Sequence, residues 1–213
     1  LRSSTKTENW LNKIDWSNKK AVLKKIKEDG LFHGGEDNFL NADDVLRADR
    51  EFVLKAVSLD GQILETVDNS FKSDKEIVMA AIIQNGSVLR FASESLKSDK
   101  NFLLEVAKLK INPHNCFYLE DPSEDPYCSG ETQFVDAVTM EAPEEVWSDK
   151  EFCLEFLAVD GGSLYMVDDS LQADREIVLT AIKQFPSYGI DDVHDSLKSD
   201  DEIKKIIKEQ ENR

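Results

Sequence analysis

An aspartate recurs along this chain at a spacing of about 25 residues. Most of the intervals are 25 residues, one is 50 and the last is 26, and the series consists of Asp49, Asp74, Asp99, Asp149, Asp174 and Asp200. Self-similarity at a period of this length is typical of proteins that repeat one supersecondary unit. We therefore expect an array of short repeats, with two of them in the 50-residue interval.

Each repeat starts with the pattern of a helix N-terminus. The recurring Asp follows Ser or Ala and precedes Lys, Arg or Asp, as in Ser73-Asp74-Lys75-Glu76. Asp and Ser both accept backbone N–H bonds at helix starts, and Glu in the first turn faces the positive end of the helix dipole. The pattern leaves open which of the two is the cap. Asp is favoured because it occurs in every copy.

Apolar residues follow the Asp at the third, fourth, seventh and eighth positions, which form one face of an α-helix. The clearest copies are Phe52, Val53, Ala56 and Val57, then Ile77, Val78, Ala81 and Ile82, then Phe152, Cys153, Phe156 and Leu157. Glycine stands twelve residues after the Asp in Gly61, Gly86 and Gly161, and Gly30 stands at that distance from Asn18. We expect these glycines to end the first helix in the left-handed conformation.

A second, shorter helix is indicated in the rest of each repeat. Its apolar positions are Leu64, Val67 and Phe71, then Leu89, Ala92 and Leu96, then Leu164, Val167 and Leu171. Phe39, Ala42 and Leu46 close the repeat that starts at Asn18, and Ile190, Val193 and Leu197 close the one that starts at Asp174. Asp68, Ser93 or Pro143 occupies the nineteenth position, where we expect the helix to end and a tight turn to begin.

The repeats predict one all-α domain over residues 1–213, an α-solenoid of about six to seven helix-turn-helix units. We expect an N-terminal arm and first unit in 1–47, regular repeats in 48–110 and 148–198, and a capping helix in 199–213. Residues 111–147 are expected to hold an irregular acidic loop and one degenerate repeat. Pro113, Pro122 and Pro126 interrupt any helix there, whereas Phe134 to Val138 resembles a worn copy of the first helix.

The units resemble an uncharacterised family of short helical repeats that is described only as a domain of unknown function. Its pattern reads roughly L-x-S-D-K-E-F-V-L-x-A-V-x-x-N-G-x-x-L-x-x-A-S, and the likeness is carried by 96–104 and 85–93. It covers about 39–110 and 142–203, and it departs from the pattern in the central loop and at Phe185-Pro186. The resemblance implies an α-solenoid and brings no activity with it, so no functional residue is transferred.

The charge of the chain restricts its partners. Formal net charge is −17, and residues 111–170 hold fifteen Asp and Glu against one Lys. Such a surface repels phosphate backbones, so we expect a basic protein as partner and no nucleic acid.

No apolar run is long enough to span a membrane, and we expect a monomer. The odd set of Cys116, Cys128 and Cys153 favours free thiols and the cytoplasm, although export with a Cys116–Cys128 disulfide stays open.

Catalytic and metal-binding patterns are weak. The three histidines, His33, His114 and His194, have no spacing that indicates a catalytic triad. His114 with Cys116 and Cys128 lacks the paired cysteines of a zinc site, and the central acidic cluster lacks the ligand spacing of a calcium loop. We therefore predict no catalytic residue, no cofactor and no metal, and a protein that is not an enzyme.

The function we predict is a non-enzymatic protein–protein interaction module with an acidic surface. The expected partner-binding residues are those that break the repeat, namely Phe117, Tyr118, Leu119, Glu120, Asp121, Glu124, Asp125 and Tyr127. Aromatic side chains among acids are plausible interface anchors, although the same aromatics would also serve to cover the worn repeat. The alternatives are an inhibitor or immunity-type protein that mimics nucleic acid or blocks a basic active site, and an enzyme of unknown class.

Overall fold

The structure is a computed structural model that describes residues 14–29, 34–109, 133–185, 187–188 and 190–211. Every regular element in these ranges is a helix, and no strand occurs among them. The all-α class that the sequence predicted is therefore confirmed. The predicted N-terminal arm around Trp10 lies outside the described residues.

The chain divides into two compact bodies, where the sequence predicted a single domain. In its described part the first body comprises residues 14–29 and 34–93, and the second comprises 94–109, 133–185, 187–188 and 190–211. The division falls within the repeat that starts at Asp74, between Ser93 and Glu94. Below, a repeat is named by its capping residue.

Long first helices alternate with short helical segments in both bodies. The α-helices of the first body are Lys19–Asp29, Gly35–Leu40, Asp44–Arg47, Arg50–Leu59 and Lys75–Gln84, and its 3-10 helices are Gly61–Glu65, Phe71–Ser73 and Gly86–Phe91. The α-helices of the second body are Glu94–Lys97, Lys100–Ala107, Gln133–Glu141, Lys150–Leu157, Asp169–Gln172, Arg175–Gln184 and Asp201–Glu211. Its 3-10 helices are Glu144–Ser148, Gly161–Met166, Ile190–Asp192 and Asp195–Leu197.

The recurring Asp is the cap of each first helix. In the Asp49 repeat, its Oδ1 accepts hydrogen bonds from the backbone N–H of Glu51 at 2.8 Å and of Phe52 at 3.2 Å. The same side-chain caps are formed by Asn18, Asp74, Asp99, Asp149, Asp174 and Asp200. This settles the choice between Asp and the preceding Ser in favour of Asp.

The predicted apolar face of the first helices is the core. Its positions are almost fully buried in every regular copy, as in Phe52, Val53, Ala56 and Val57, Ile77, Val78, Ala81 and Ile82, and Phe152, Cys153, Phe156 and Leu157. In the last helix Ile203 and Ile207 are buried, while Lys204 and Lys205 are exposed. This helix therefore buries one narrow stripe, as its sequence indicated.

In the Asp49, Asp74 and Asp149 repeats the second half is helical but not as predicted, because it begins as a 3-10 helix. Asp60 is extended, with φ −148° and ψ 105°, and its side chain accepts the N–H of Gln62 at 3.0 Å. Asn85 does the same for Ser87 at 3.1 Å. One residue therefore ends the first helix and caps the next, and the 3-10 helix stops before the nineteenth position.

The glycine at the twelfth position is required by close packing, so the left-handed conformation expected from the sequence is wrong. Gly61 is the first residue of a 3-10 helix and its φ is not positive. A Cβ there would lie 2.5 Å from the carbonyl oxygen of Ala81 in the next repeat and 3.1 Å from Cβ of Gln84. Gly161 faces the carbonyl oxygen of Ala181 in the same way. Glycine is present because two repeats meet there.

We expect Gly61→Ala to lower the free energy of unfolding by about 1–3 kcal/mol, since the methyl group overpacks against backbone that has little room to shift. Gly162→Ala is the matched control. Its Cβ would meet a flexible carboxylate oxygen of Asp160 at 3.2 Å and the ring of Phe185 at 3.6 Å. Urea denaturation of both variants measures the difference, and equal effects would contradict the packing explanation.

Candidate partner-binding surfaces

The loop residues predicted to bind a partner lie outside the described residues. These are Phe117, Tyr118, Leu119, Glu120, Asp121, Glu124, Asp125 and Tyr127, and the same holds for His33, His114, Cys116 and Cys128. The prediction of a partner site in this loop therefore stays a prediction. Many other carboxylates lie within the described residues, and several of them bind a Lys or Arg side chain of the same protein.

In five of the capping Asp residues, the second oxygen binds a cation from the preceding repeat. Arg50 Nε donates to Asp74 Oδ2 at 2.7 Å, and Arg50 Nη2 donates to Glu76 Oε2 at 2.6 Å. Lys150 contacts Asp174 Oδ2 at 2.9 Å and Glu176 at 3.0 Å. Because Oδ1 caps the helix and Oδ2 holds the cation, one carboxylate serves two repeats. We call this arrangement the cap contact.

The cap contact recurs in both bodies. Further copies join Lys19 to Asp49 at 3.2 Å, Lys100 to Asp149 at 2.6 Å and Arg175 to Asp200 at 2.8 Å. The hydrogen bond from Arg50 is the main cause that lowers the pKa of Asp74. The five capping carboxylates that hold a cation are thus neutralised, so they contribute little attraction for a basic partner.

Across the irregular centre the cap contact joins Lys100 to Asp149, which lie 49 residues apart in the chain. Lys108 also reaches Glu155 at 3.0 Å. First helices 100–107 and 150–157 are thus linked as consecutive repeats are linked elsewhere. The helix Gln133–Glu141 packs on Lys100–Ala107 and does not enter this series. The helix Gln133–Glu141 forms where the sequence predicted a worn copy of the first helix, and it lies in the chain between two repeats that the cap contact joins directly.

Asp174 allows the two roles of the cap to be separated. We expect Asp174→Ala to cost about 0.5–2 kcal/mol because the cap is lost, whereas Asp174→Asn keeps the cap and loses only the cation. The hydrogen bond from Lys150 lowers the pKa of Asp174 in the folded protein. The stability that this bond contributes is therefore present above the unfolded pKa of about 3.9, and it is lost as pH falls through the folded pKa.

Urea melts between pH 7 and pH 2 test this expectation. The loss of stability on acidification below about pH 4 should be smaller in Asp174→Asn than in the wild type, because the amide does not titrate. An identical pH dependence in the two proteins would show that the cation bound to Asp174 does not stabilise the fold.

Four carboxylates at turns of the second body have no cation in the part of the chain that the structure describes. Glu144, Glu145, Asp168 and Asp169 are exposed, and within the described part of the chain none of them forms an ion pair. Asp168 caps the next helix, accepting the N–H of Ser170 at 3.0 Å. We call these four residues the turn carboxylates. Their negative charge faces water uncompensated.

An aromatic patch lies in the same body, formed by Tyr165, Phe185 and Tyr188. Tyr165 is 71% exposed and Phe185 is 40% exposed. The rings of Phe185 and Tyr188 meet edge to face at a centroid distance of 5.4 Å, and the Tyr188 hydroxyl donates to the Gly162 carbonyl at 3.0 Å. We call these three residues the Tyr165 patch.

Carboxylates act on the Tyr188 hydroxyl of the Tyr165 patch. Burial is the main cause that raises the pKa of Tyr188, and the carboxylates of Asp160 and Asp192 raise it further. The sequence did not identify this patch as a site. Its one signal was Phe185 at the position where Asp60 and Asn85 cap the following helix, since an aromatic side chain cannot form that cap.

Cys153 is a buried free thiol, as predicted. Its Sγ donates to the carbonyl oxygen of Trp147 at 3.2 Å, and burial raises its pKa to about 11. The thiolate that would be needed for nucleophilic chemistry is therefore scarce at neutral pH. His194 is exposed, and its Nδ1 accepts the N–H of Ser196 at 3.3 Å, so this histidine serves as a helix cap.

The described residues contain no group of three or more His, Cys, Asp and Glu side chains placed to hold a metal ion. Among the same residues, no helix is both long and apolar enough to cross a membrane.

The model of one protein family, described as Domain of unknown function (DUF4116), matches the chain three times, over residues 18–72, 74–121 and 149–190. Together these matches cover more than half of the sequence. The chain belongs to the DUF4116 family. No curated protein and no solved structure matches it.

The DUF4116 matches agree with the repeats defined by the cap contact. The first covers the Asn18 and Asp49 repeats, the second starts at the Asp74 cap and the third starts at the Asp149 cap. Residues 122–148 are unmatched, and they fall in the interval that Lys100 and Asp149 bridge. The family description states no activity, so it assigns no function to any of these residues.

Proposed function

We propose that this chain is a non-enzymatic protein-interaction module, an α-solenoid whose acidic surface binds a basic protein. The observation that carries the proposal is the Tyr165 patch, in which exposed aromatic rings lie near the carboxylates of Asp160 and Asp192. Large aromatic side chains are common interface anchors, and a ring face attracts Arg and Lys.

The solenoid part of the proposal is supported by the cap contact. Within each body, first helices that follow one another are joined by the same kind of bond, from a cation at one helix start to the capping carboxylate at the next. A repeat that contacts its neighbours in one constant way is typical of solenoids, which present extended surfaces and few closed pockets.

The preference for a basic partner follows from the carboxylates that have no cation within the described residues. The cap contact neutralises the capping carboxylates, whereas the turn carboxylates have no described cation. Unpaired surface charges steer association with an oppositely charged partner. The predicted loop, with Glu120, Asp121, Glu124 and Asp125, adds further negative charge.

The proposal is tested on a partner identified by affinity capture and mass spectrometry. We expect Tyr165→Ala and Phe185→Ala to accelerate dissociation by about tenfold or more, because anchors act after encounter. Binding kinetics by surface plasmon resonance measure this, and Tyr188→Phe, which keeps the ring, is the matched control. Unchanged dissociation rates in both alanine variants would contradict the assignment of the patch as an anchor.

Charge variants test the acidic surface separately. The double variant Glu144→Gln/Glu145→Gln should slow association and reduce its salt dependence. Glu151→Gln/Glu209→Gln makes the same change in net charge elsewhere in the second body and should have a smaller effect. Neutralising Glu120, Asp121, Glu124 and Asp125 tests the loop in the same assay. If that variant alone weakens binding, the loop is the site and the turn carboxylates are not.

The identity of the partner separates the two alternatives. An inhibitor or immunity-type protein would capture a cationic enzyme and abolish its activity at stoichiometric concentration. An enzymatic role would appear as turnover of the captured partner, which the proposal does not expect.

A further inference from the structure

Asp160 departs from the capping pattern of the other repeats. Asp60 and Asn85 accept the N–H of the residue two positions further on, whereas Asp160, at the same position of the Asp149 repeat, makes no such side-chain bond. Its Oδ2 accepts the hydroxyl of Ser163 instead. Within the described ranges Asp160 forms no ion pair, so its Oδ1 is available to a donor from outside the repeat.

Gly162 leaves a gap beside this carboxylate. Two other repeats carry a side chain at the same position, namely Gln62 and Ser87. A Cβ built on Gly162 would lie 3.2 Å from Asp160 Oδ1 and 3.6 Å from two ring atoms of Phe185. The space over Gly162 is therefore bordered by a carboxylate oxygen and an aromatic ring. We call this space the Gly162 gap.

The groups that border the Gly162 gap are held in place by contacts within the second body. The Phe185 ring meets Tyr188 edge to face, and the Tyr188 hydroxyl donates to the carbonyl of Gly162 itself. The hydroxyl of Ser163 holds the carboxylate of Asp160. A partner group that enters the gap therefore orders little of the surface, which favours binding.

The charges around the Gly162 gap favour a cation. Asp160 and Asp192 both raise the pKa of the Tyr188 hydroxyl. The closest Lys or Arg before these rings in the sequence is Lys183, and its Nζ lies 3.7 Å from Glu202 Oε1. Aromatic rings also carry negative charge on their faces. A cationic group is thus complementary to the gap, and an anionic group is repelled.

Of the two basic side chains, arginine suits the Gly162 gap better than lysine. A guanidinium is planar and weakly hydrated, so it stacks on an aromatic ring while its N–H groups donate to a neighbouring carboxylate. The ammonium of lysine is a compact, strongly hydrated charge that does not stack. A ring and a carboxylate oxygen around one space match both properties of the guanidinium.

We propose that the Gly162 gap binds an arginine side chain of the partner protein, with the guanidinium against the Phe185 ring and donating to Asp160 Oδ1. This inference rests on the proposed function, and it names the partner residue that the Tyr165 patch recognises. Tyr165 is 71% exposed and follows Gly162 by three residues, so it lies beside the gap as a further ring for the same partner.

Three peptides that differ at one residue test the assignment. The probes are acetyl-Ser-Gly-Arg-Gly-Ser-amide and the same peptide with Lys or citrulline in place of Arg. Each is titrated into the isotope-labelled full chain by NMR at about 0.15 M ionic strength, which screens unspecific attraction to the acidic surface. We expect the Arg peptide to bind about fivefold more tightly than the Lys peptide and to shift the amide signals of Gly162 and Tyr165. Citrulline has the shape of arginine without its charge and should not bind measurably.

Variants of the two departures locate the binding. Asp160→Asn removes the charge and is compatible with the fold, since Asn85 stands at this position in another repeat. Its preference for Arg over Lys should fall close to onefold. Gly162→Gln supplies the side chain that Gln62 has elsewhere and should abolish the preference by filling the gap. Glu151→Gln makes the same charge change as Asp160→Asn at an exposed position of the second body, and it should keep the fivefold preference.

Equal affinity of the Arg and Lys peptides for the wild type would overturn the inference, as would a fivefold preference that persists in Asp160→Asn and Gly162→Gln. Gly162→Ala repeats the test with a smaller group if Gly162→Gln melts early. If the arginine preference is absent while Phe185→Ala still accelerates dissociation of the natural partner, the proposed function stands and only the arginine assignment falls. Failure of the proposed function appears separately, as unchanged dissociation of that partner from Tyr165→Ala and Phe185→Ala.

Discussion

The fold depends on a carboxylate that acts in two directions. In the Asp74 repeat, Oδ1 accepts the N–H groups of Glu76 and Ile77, while Oδ2 accepts the guanidinium of Arg50 from the preceding repeat. The first bond fixes where a helix begins, and the second fixes where it lies relative to its neighbour. A single residue type thus sets both local structure and the contact between repeats, which explains why this Asp recurs at each helix start.

The sequence could predict those features that depend on residues close together in the chain. Helix starts and the apolar face depend on local spacing, so Asp149 and the buried Phe152 were predictable from the residues around them. The reason for Gly61 was not, because the atom that excludes a side chain belongs to Ala81 in the following repeat. The 3-10 form of Gly61–Glu65 was missed for a related reason, since Asp60 ends one helix and caps the next without any intervening turn.

The candidate sites were harder to predict because they lie where a residue departs from the repeat pattern. Phe185 stands at a capping position without being able to cap, and it lies instead against Tyr188. Regular positions explain how the chain folds, and the departures from them are where partner binding is proposed.

The contact between Lys100 and Asp149 has a consequence for how such chains can change. Because it joins only the starts of two helices, the length of chain between the end of one helix and the next Asp is free to vary without moving either helix. New sequence can be acquired at that point by duplication or insertion while the register of the array is kept.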